Sequence, residues 1–151
     1  MDDSELVAAP ISAERELGAF TAAAEGAGGI VSFCGVVRPG GRDGRALAAL
    51  TLDHYPGMTE KSLARIAADA CAQFEVMKVR IVHRHGTMQP GEIVVFVAAA
   101  AVHRRAAFEA ADYMMDRLKT EAVFWKSECG EHGARWIEPT AADHSDTQRW
   151  R

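Results

Sequence analysis

No two cysteines in this chain lie close enough to form a CxxC pair. Cys34, Cys71 and Cys129 are odd in number and widely spaced, so neither a zinc knuckle nor a disulfide framework is indicated. Long hydrophobic runs are missing too. The longest strongly apolar stretch, Ile93 to Val102, is far too short to cross a bilayer, so no membrane segment is predicted. The opening MDDSELVAAP has neither a basic n-region nor an apolar h-region, which predicts no secretory signal. Positive charge is not in excess: 17 Lys and Arg stand against 21 Asp and Glu, a net charge of −4. That balance argues against non-specific nucleic-acid binding. Repeats, linkers and low-complexity stretches are absent. These absences leave the expectation of a reduced, soluble, cytoplasmic protein. At 151 residues the chain predicts one domain, 1–151, with a core over about 12–139 and a polar tail at 140–151. Such a length buries roughly 70% of the unfolded surface and needs no metal or disulfide to fold.

Periodicity and punctuation predict the elements. Residues 1–11 read as a loose or edge segment. Ser12 is a candidate cap for a helix to about Glu25, with Glu14 in its first turn and Leu17 and Phe20 on its buried stripe. EGAGG (25–29) stops it, since glycine accepts the left-handed conformation at helix ends. IVSFCGVV (30–37) reads as a buried strand, RPGGRDGR (38–45) as a glycine-rich loop with three arginines, and LAALTLDHY (47–55) as a second strand. Thr59 is a candidate cap for a helix to about Phe74, with Leu63, Ile66, Ala67, Ala70 and Phe74 on one face. KVRIVHRHG (78–86) alternates as a partly exposed strand, TMQPGE (87–92) is a turn, and IVVFVAAAAV (93–102) is a central strand. A helix over about 103–119 follows, with Phe108, Ala111, Met115 and Leu118 on one face. VFWKSEC and RWIEP read as short strands joined by the turn GEHG (130–133), and the tail as a frayed helix or coil. This order predicts an α+β domain, a mostly antiparallel sheet with helices packed on one side.

The chemistry gathers in cations at the ends of apolar segments. In LKTEAVFWKSE (118–128), Lys119 and Lys126 bracket Ala122 to Trp125; in VHRRAAFEA (102–110), His103, Arg104 and Arg105 close an apolar run. Together with Arg38, the set His103, Arg104, Lys119 and Lys126 suits an anionic ligand. Arginine makes bidentate contacts to phosphate, and lysine is a point charge with a movable pKa. His103 and Arg104 also fall at a strand-to-helix junction, where free N–H groups favour anions. Solvated surface cations are an equal reading of the same five residues. His83 and His85, two apart on a strand, share a face and with His103 or Cys129 suggest a metal site. No carboxylate or Cys/His cluster accompanies them, and a hydrogen-bonded pair is the simpler reading. Cys129 is the one thiol with a cationic neighbour, Lys126, while Cys34 and Cys71 fit core packing. RPGGRDGR lacks the P-loop pattern and precedes no helix; it reads as a loop closing over a ligand or as a plain connection.

Six segments, in this order, resemble the large, catalytic subunit of molybdopterin synthase, the MoaE family: SFCGVVR (32–38), LTLDHYPGMTEKSL (50–63), VHRHGTMQPGE (82–92), VHRRAAFEA (102–110), MDRLKTEAVFWKSE (115–128) and RWIE (135–138). The likeness runs from about Gly29 to Trp136 and implies a hammerhead-like α/β fold. It implies a sulfurtransferase of molybdenum cofactor biosynthesis that converts cyclic pyranopterin monophosphate to the molybdopterin dithiolene. The sulfur would arrive as a thiocarboxylate on the C-terminal Gly-Gly of a small ubiquitin-fold carrier subunit, and two large subunits would form a homodimer within a heterotetramer. The family's substrate-contacting positions fall on Val36, Val37, Arg38, His103, Arg104, Lys119, Lys126, Ser127 and Glu128, with Lys119 and Lys126 as the catalytic pair. Val36 stands where the family often has lysine, and the loop arginines carry no family role. The resemblance implies no metal or redox cofactor. A non-catalytic module that binds a phosphorylated metabolite or a ubiquitin-like tail is the alternative, followed by a metal-dependent hydrolase built on His83, His85 and His103. If 103–119 is one helix, Arg104 and Lys119 lie about 22 Å apart along its axis. Sites shared between two copies are therefore expected.

Overall fold

The computed structural model describes residues 1–130 and 133–150. Its elements run β1 (Asp2–Val7), α1 (Ala13–Ala23), β2 (Gly29–Val36), β3 (Leu47–His54), α2 (Met58–Gln73), β4 (Lys78–Arg84), β5 (Gly86–Met88), β6 (Ile93–Ala101), α3 (Arg104–Glu121), β7 (Phe124–Gly130), β8 (Gly133–Ile137) and α4 (Ala141–Gln148). The strands form two sheets, ordered β1-β4-β6-β2 and β5-β3-β7-β8. Every pairing among them is antiparallel except β1 with β4. The α+β, mostly antiparallel reading holds, with two sheets in place of one.

Strand alternation divides the first sheet between two cores. On β6, Val95, Val97 and Ala99 pack with α2 and α3, while Phe96, Ala98 and Ala100 pack with Phe20 of α1. The helices therefore cover both faces of this sheet, not one side. The cause is the unbroken apolar run of β6, which has no polar face to leave in water. β4, flanked by β1 and β6, is buried where a partly exposed strand was expected. Its arginines are matched: Arg80 pairs with Asp3, Glu5 and Glu16 at 2.5–2.8 Å, and Arg84 with Glu92 at 2.8 Å. The Arg80 pairs fasten the N-terminal strand and α1 to the sheet. β2, expected to be buried, lies at the sheet edge and leaves Phe33 and Val36 exposed. Leu17 of α1, expected on a buried stripe, is exposed, as is Phe108 of α3.

Gly57, at φ 86°, takes the N-cap position of α2, and the Glu60 carboxylate accepts from its N–H. Thr59, expected as the cap, is buried in the first turn. Its hydroxyl accepts from the Tyr55 N–H and donates to the Val123 carbonyl at 2.5 Å, tying α2 to the start of β7. The turn expected over 87–92 begins as strand β5, paired with β3. The tail, expected as a frayed helix or coil, is an ordered helix. It forms α4, capped by Thr140, and docks on α3. The Thr147 hydroxyl donates to the Asp116 carbonyl at 3.0 Å, and Trp150 Nε1 donates to the Asp116 carboxylate at 2.6 Å. The Trp150 ring sits edge-on to Phe74 and Tyr113. The turn expected at 130–133 includes 131–132, which lie outside the described residues.

Candidate active site

Alternation along β7 puts Lys126 and Glu128 on one face and Trp125, Ser127 and Cys129 on the other. Across the ladder Lys126 stands opposite Leu52, and Glu128 opposite Leu50. Leu50 and Leu52 are buried with Val37 and Met88, and Phe124 packs against them. The Lys126 stem thus lies along an apolar floor, and its ammonium is partly removed from water. That desolvation, followed by the charge of Lys119, lowers the Lys126 pKa below the usual lysine range; Arg42 and Arg38 act in the same sense, and Glu128 opposes them. Lys119 reaches the site from the last turn of α3. Arg38 is positioned by Val37, whose N–H donates to the Glu92 carbonyl at 2.9 Å and whose carbonyl accepts from the Gly91 N–H at 2.8 Å.

His83 forms the wall behind this cluster. Its ring stacks on Phe124 at 4.4 Å, and the residue is only 8% exposed. Nδ1 lies 3.0 Å from the Arg84 carbonyl. A carbonyl only accepts, so Nδ1 carries the proton and Nε2 keeps a lone pair. Burial, helped by the charges of Lys119 and Lys126 and opposed by the carbonyl, pushes the His83 pKa down to about 4. The ring is therefore neutral near pH 7. His85 turns elsewhere and stacks on His54 at 4.0 Å. His103 lies at the far end of α3, so the proposed His83, His85 and His103 metal set is not assembled.

A second cluster surrounds the start of α3. His103, Arg104 and Arg105 line a depression of about 670 Å³ with Gly28, Val102 and Phe108. A Cβ at residue 28 would fall 2.0 Å from the Val102 carbonyl oxygen, so only glycine lets the chain pass there. His103 is the N-cap of α3, and its side chain makes no capping bond, leaving the first-turn N–H groups for a ligand or water. The fold thus gathers Arg38, Lys119, Lys126 and Glu128, and holds His103 and Arg104 apart from them on the same chain. Val36 is exposed at the end of β2, Val37 lies in the floor, and Ser127 faces away from Lys126. Sequence reasoning passed over Arg42, whose position depends on loop conformation, and misread His83 by grouping it with His85.

The family model described as MoaE protein matches residues 6–121. The chain belongs to the MoaE family. A molybdopterin synthase catalytic subunit from Caulobacter vibrioides is 51% identical to this MoaE chain over 132 residues, covering 87% of it and 86% of the relative. The structure of a MoaE protein from Burkholderia ambifaria MC40-6 superimposes with a TM-score of 0.83 at 39% identity, covering 99% of this chain and 98% of the other. Molybdopterin synthase from Staphylococcus aureus gives a TM-score of 0.78 at 32% identity, covering 88% of this chain and 95% of the other. Among the described residues of this MoaE chain, no helix is long and apolar enough to cross a membrane.

Proposed function

We infer that this MoaE chain is the catalytic subunit of a molybdopterin synthase, a sulfurtransferase of molybdenum cofactor biosynthesis. It takes sulfur from the C-terminal thiocarboxylate of a small ubiquitin-fold carrier and delivers it to cyclic pyranopterin monophosphate, forming the dithiolene. The observation that carries this reading is the partly desolvated Lys126, set on an apolar floor and surrounded by Lys119 and Arg38. Both reactants are anionic. Bringing them together away from water requires fixed cations, and charge developing on oxygen during transfer is stabilised by the same preorganised groups. Lys119 holds the thiocarboxylate. Lys126, with its lowered pKa, orients the pterin and exchanges a proton more readily than an ordinary lysine.

His103 and Arg104 act on the phosphate from a second copy of the chain. A two-fold homodimer brings one end of α3 beside the other end of its mate. Two carriers then complete a heterotetramer. The three free cysteines, Cys34, Cys71 and Cys129, support a reducing compartment, and we place the reaction in the cytoplasm. A non-catalytic module for a phosphorylated metabolite or a ubiquitin-like tail would need the arginines but gains nothing from a lysine of lowered pKa. The test mixes the purified chain with thiocarboxylated carrier and the pyranopterin, and measures dithiolene product. Product that depends on both lysines is expected; no product with a competent carrier overturns the reading.

A further inference from the structure

We propose that Arg42, in the glycine-rich loop between β2 and β3, is a substrate-binding residue that grips an anionic group of a reactant beside Lys126. The inference rests on the sulfurtransferase reading above. It begins with the loop's own fold. The Gly41 N–H donates to the Arg45 carbonyl at 2.8 Å, the Gly44 N–H to the Gly41 carbonyl at 3.0 Å, and the Leu47 N–H to the Pro39 carbonyl at 2.9 Å. The Arg45 N–H donates to the Asp43 carboxylate at 3.0 Å. None of these bonds uses the Arg42 side chain.

Two further bonds seat the loop on the candidate site. The Arg42 N–H donates to Glu128 Oε1 at 2.9 Å, and Glu128 shares the β7 face with Lys126. A Cβ at Gly41 would stand 3.2 Å from the same carboxylate oxygen, so glycine allows this close seating. Arg42 Nη1 donates to the Glu138 carbonyl at 2.6 Å. Glu138 directly follows Ile137, the β8 residue paired with Lys126. The side chain therefore runs from Glu128 across to the Lys126 row, and its charge is felt at both Lys126 and Asp143.

The arginines that hold the fold together behave differently. Arg80, Arg84, Arg117 and Arg149 each pair with a carboxylate. Among the described residues no Asp or Glu forms such a pair with Arg42, and its side chain is anchored to a neutral carbonyl alone. One of its five N–H donors is engaged there, which leaves a fork open. Glu128 and Asp143 offset only part of the charge of Arg38, Arg42, Lys119 and Lys126, and that excess of like charge disfavours the empty site and favours an entering anion. The planar fork suits a thiocarboxylate or a phosphate oxygen pair. The two sources are the carrier tail and the pterin.

Arg42→Gln keeps a polar side chain and the backbone bond to Glu128 but removes the charge. We expect KM for one reactant to rise about tenfold, with kcat within about twofold and the thermal midpoint unchanged. A rise for the carrier assigns Arg42 to the thiocarboxylate; a rise for the pyranopterin assigns it to the phosphate. Arg42→Lys should recover part of the loss. Unchanged KM for both reactants overturns the proposal, as does a fall confined to kcat. Lost activity with a lowered thermal midpoint also overturns it, because Arg42 would then be a strap for the β7–β8 hairpin. Lys126→Ala, run in parallel, separates the two readings. If it too turns over normally, the sulfurtransferase site has failed; if it is inactive while Arg42→Gln is silent, this inference alone has failed.

Discussion

Lys126 faces Leu52 across the β3–β7 ladder, so an ammonium and a buried isobutyl group share one face of one sheet. This pairing places a charge where hydrophobic packing alone would favour an apolar side chain. The arrangement sacrifices stability for a lysine whose pKa is lowered by its surroundings. Lys126→Met should therefore have a thermal midpoint equal to or above that of the parent, while losing about 10²–10³-fold in kcat. Calorimetry and the dithiolene assay on the same sample check both halves. A destabilised but active Lys126→Met contradicts the assignment.

Lys119 is exposed at the end of α3, so its removal should alter stability by no more than about 0.5 kcal/mol. Lys119→Ala should nonetheless abolish sulfur transfer. Lys119→Arg should restore only part of it, because a planar fork does not replace a compact ammonium. Near-normal turnover in the alanine variant removes Lys119 from the mechanism.

Arg104 and Lys119, fifteen residues apart on α3, are separated by about 22 Å along the helix axis. A single small pterin does not bridge that distance within one chain. Mixing inactive Arg104→Ala with inactive Lys119→Ala should regain activity, since heterodimers of the two contain about one intact shared site of two. No recovery despite proven subunit exchange decides against sharing.

His83 provides a test by pH. It titrates near 4 in the fold and at 6.5 when unperturbed. Below 6.5 the unfolded chain takes up a proton that the folded chain refuses, so this contribution to stability is lost as pH falls from 6.5 towards 4. By pH 5 the loss should reach about 2 kcal/mol. Urea melts at pH 7 and pH 5 should show a smaller drop for His83→Gln than for the parent. His85, also lowered by burial and by His54, is present in both proteins and cancels. Equal drops rule out the buried neutral histidine.

Trp150 anchors the C-terminal helix through its ring contacts with Phe74 and Tyr113 and its bond to Asp116. Trp150→Ala should cost about 2–3 kcal/mol, less than the loss for a fully buried aromatic. Denaturant melts measure it. A change below about 0.5 kcal/mol would make the tail a passenger.

Much of the fold was legible because its signals are local. Ser12 caps α1 with its hydroxyl, accepting from the Arg15 N–H at 3.3 Å. The apolar run of β6 marked a central strand, and the helix after His103 ran close to its expected length. Other features were hidden because they depend on distant partners. α4 has little apolar character of its own, and its docking depends on Asp116, Phe74 and Tyr113, far away in sequence. Arg80 reads as a solvated cation until Asp3, Glu5 and Glu16 converge on it.

The same division runs through the candidate site. The sequence by itself determined the order of elements, the family and the inventory of cations at the ends of apolar segments, since propensity, periodicity and ordered motifs are properties of neighbours along the chain. Only the tertiary structure decided which cations meet. It placed Lys126 on the floor made by Val37, Leu50, Leu52 and Met88, brought Lys119 and Arg42 beside it, and left Arg104 at the other end of α3. Burial and charge interaction depend on distances through space, and those distances exist only once the two sheets and the helix have packed.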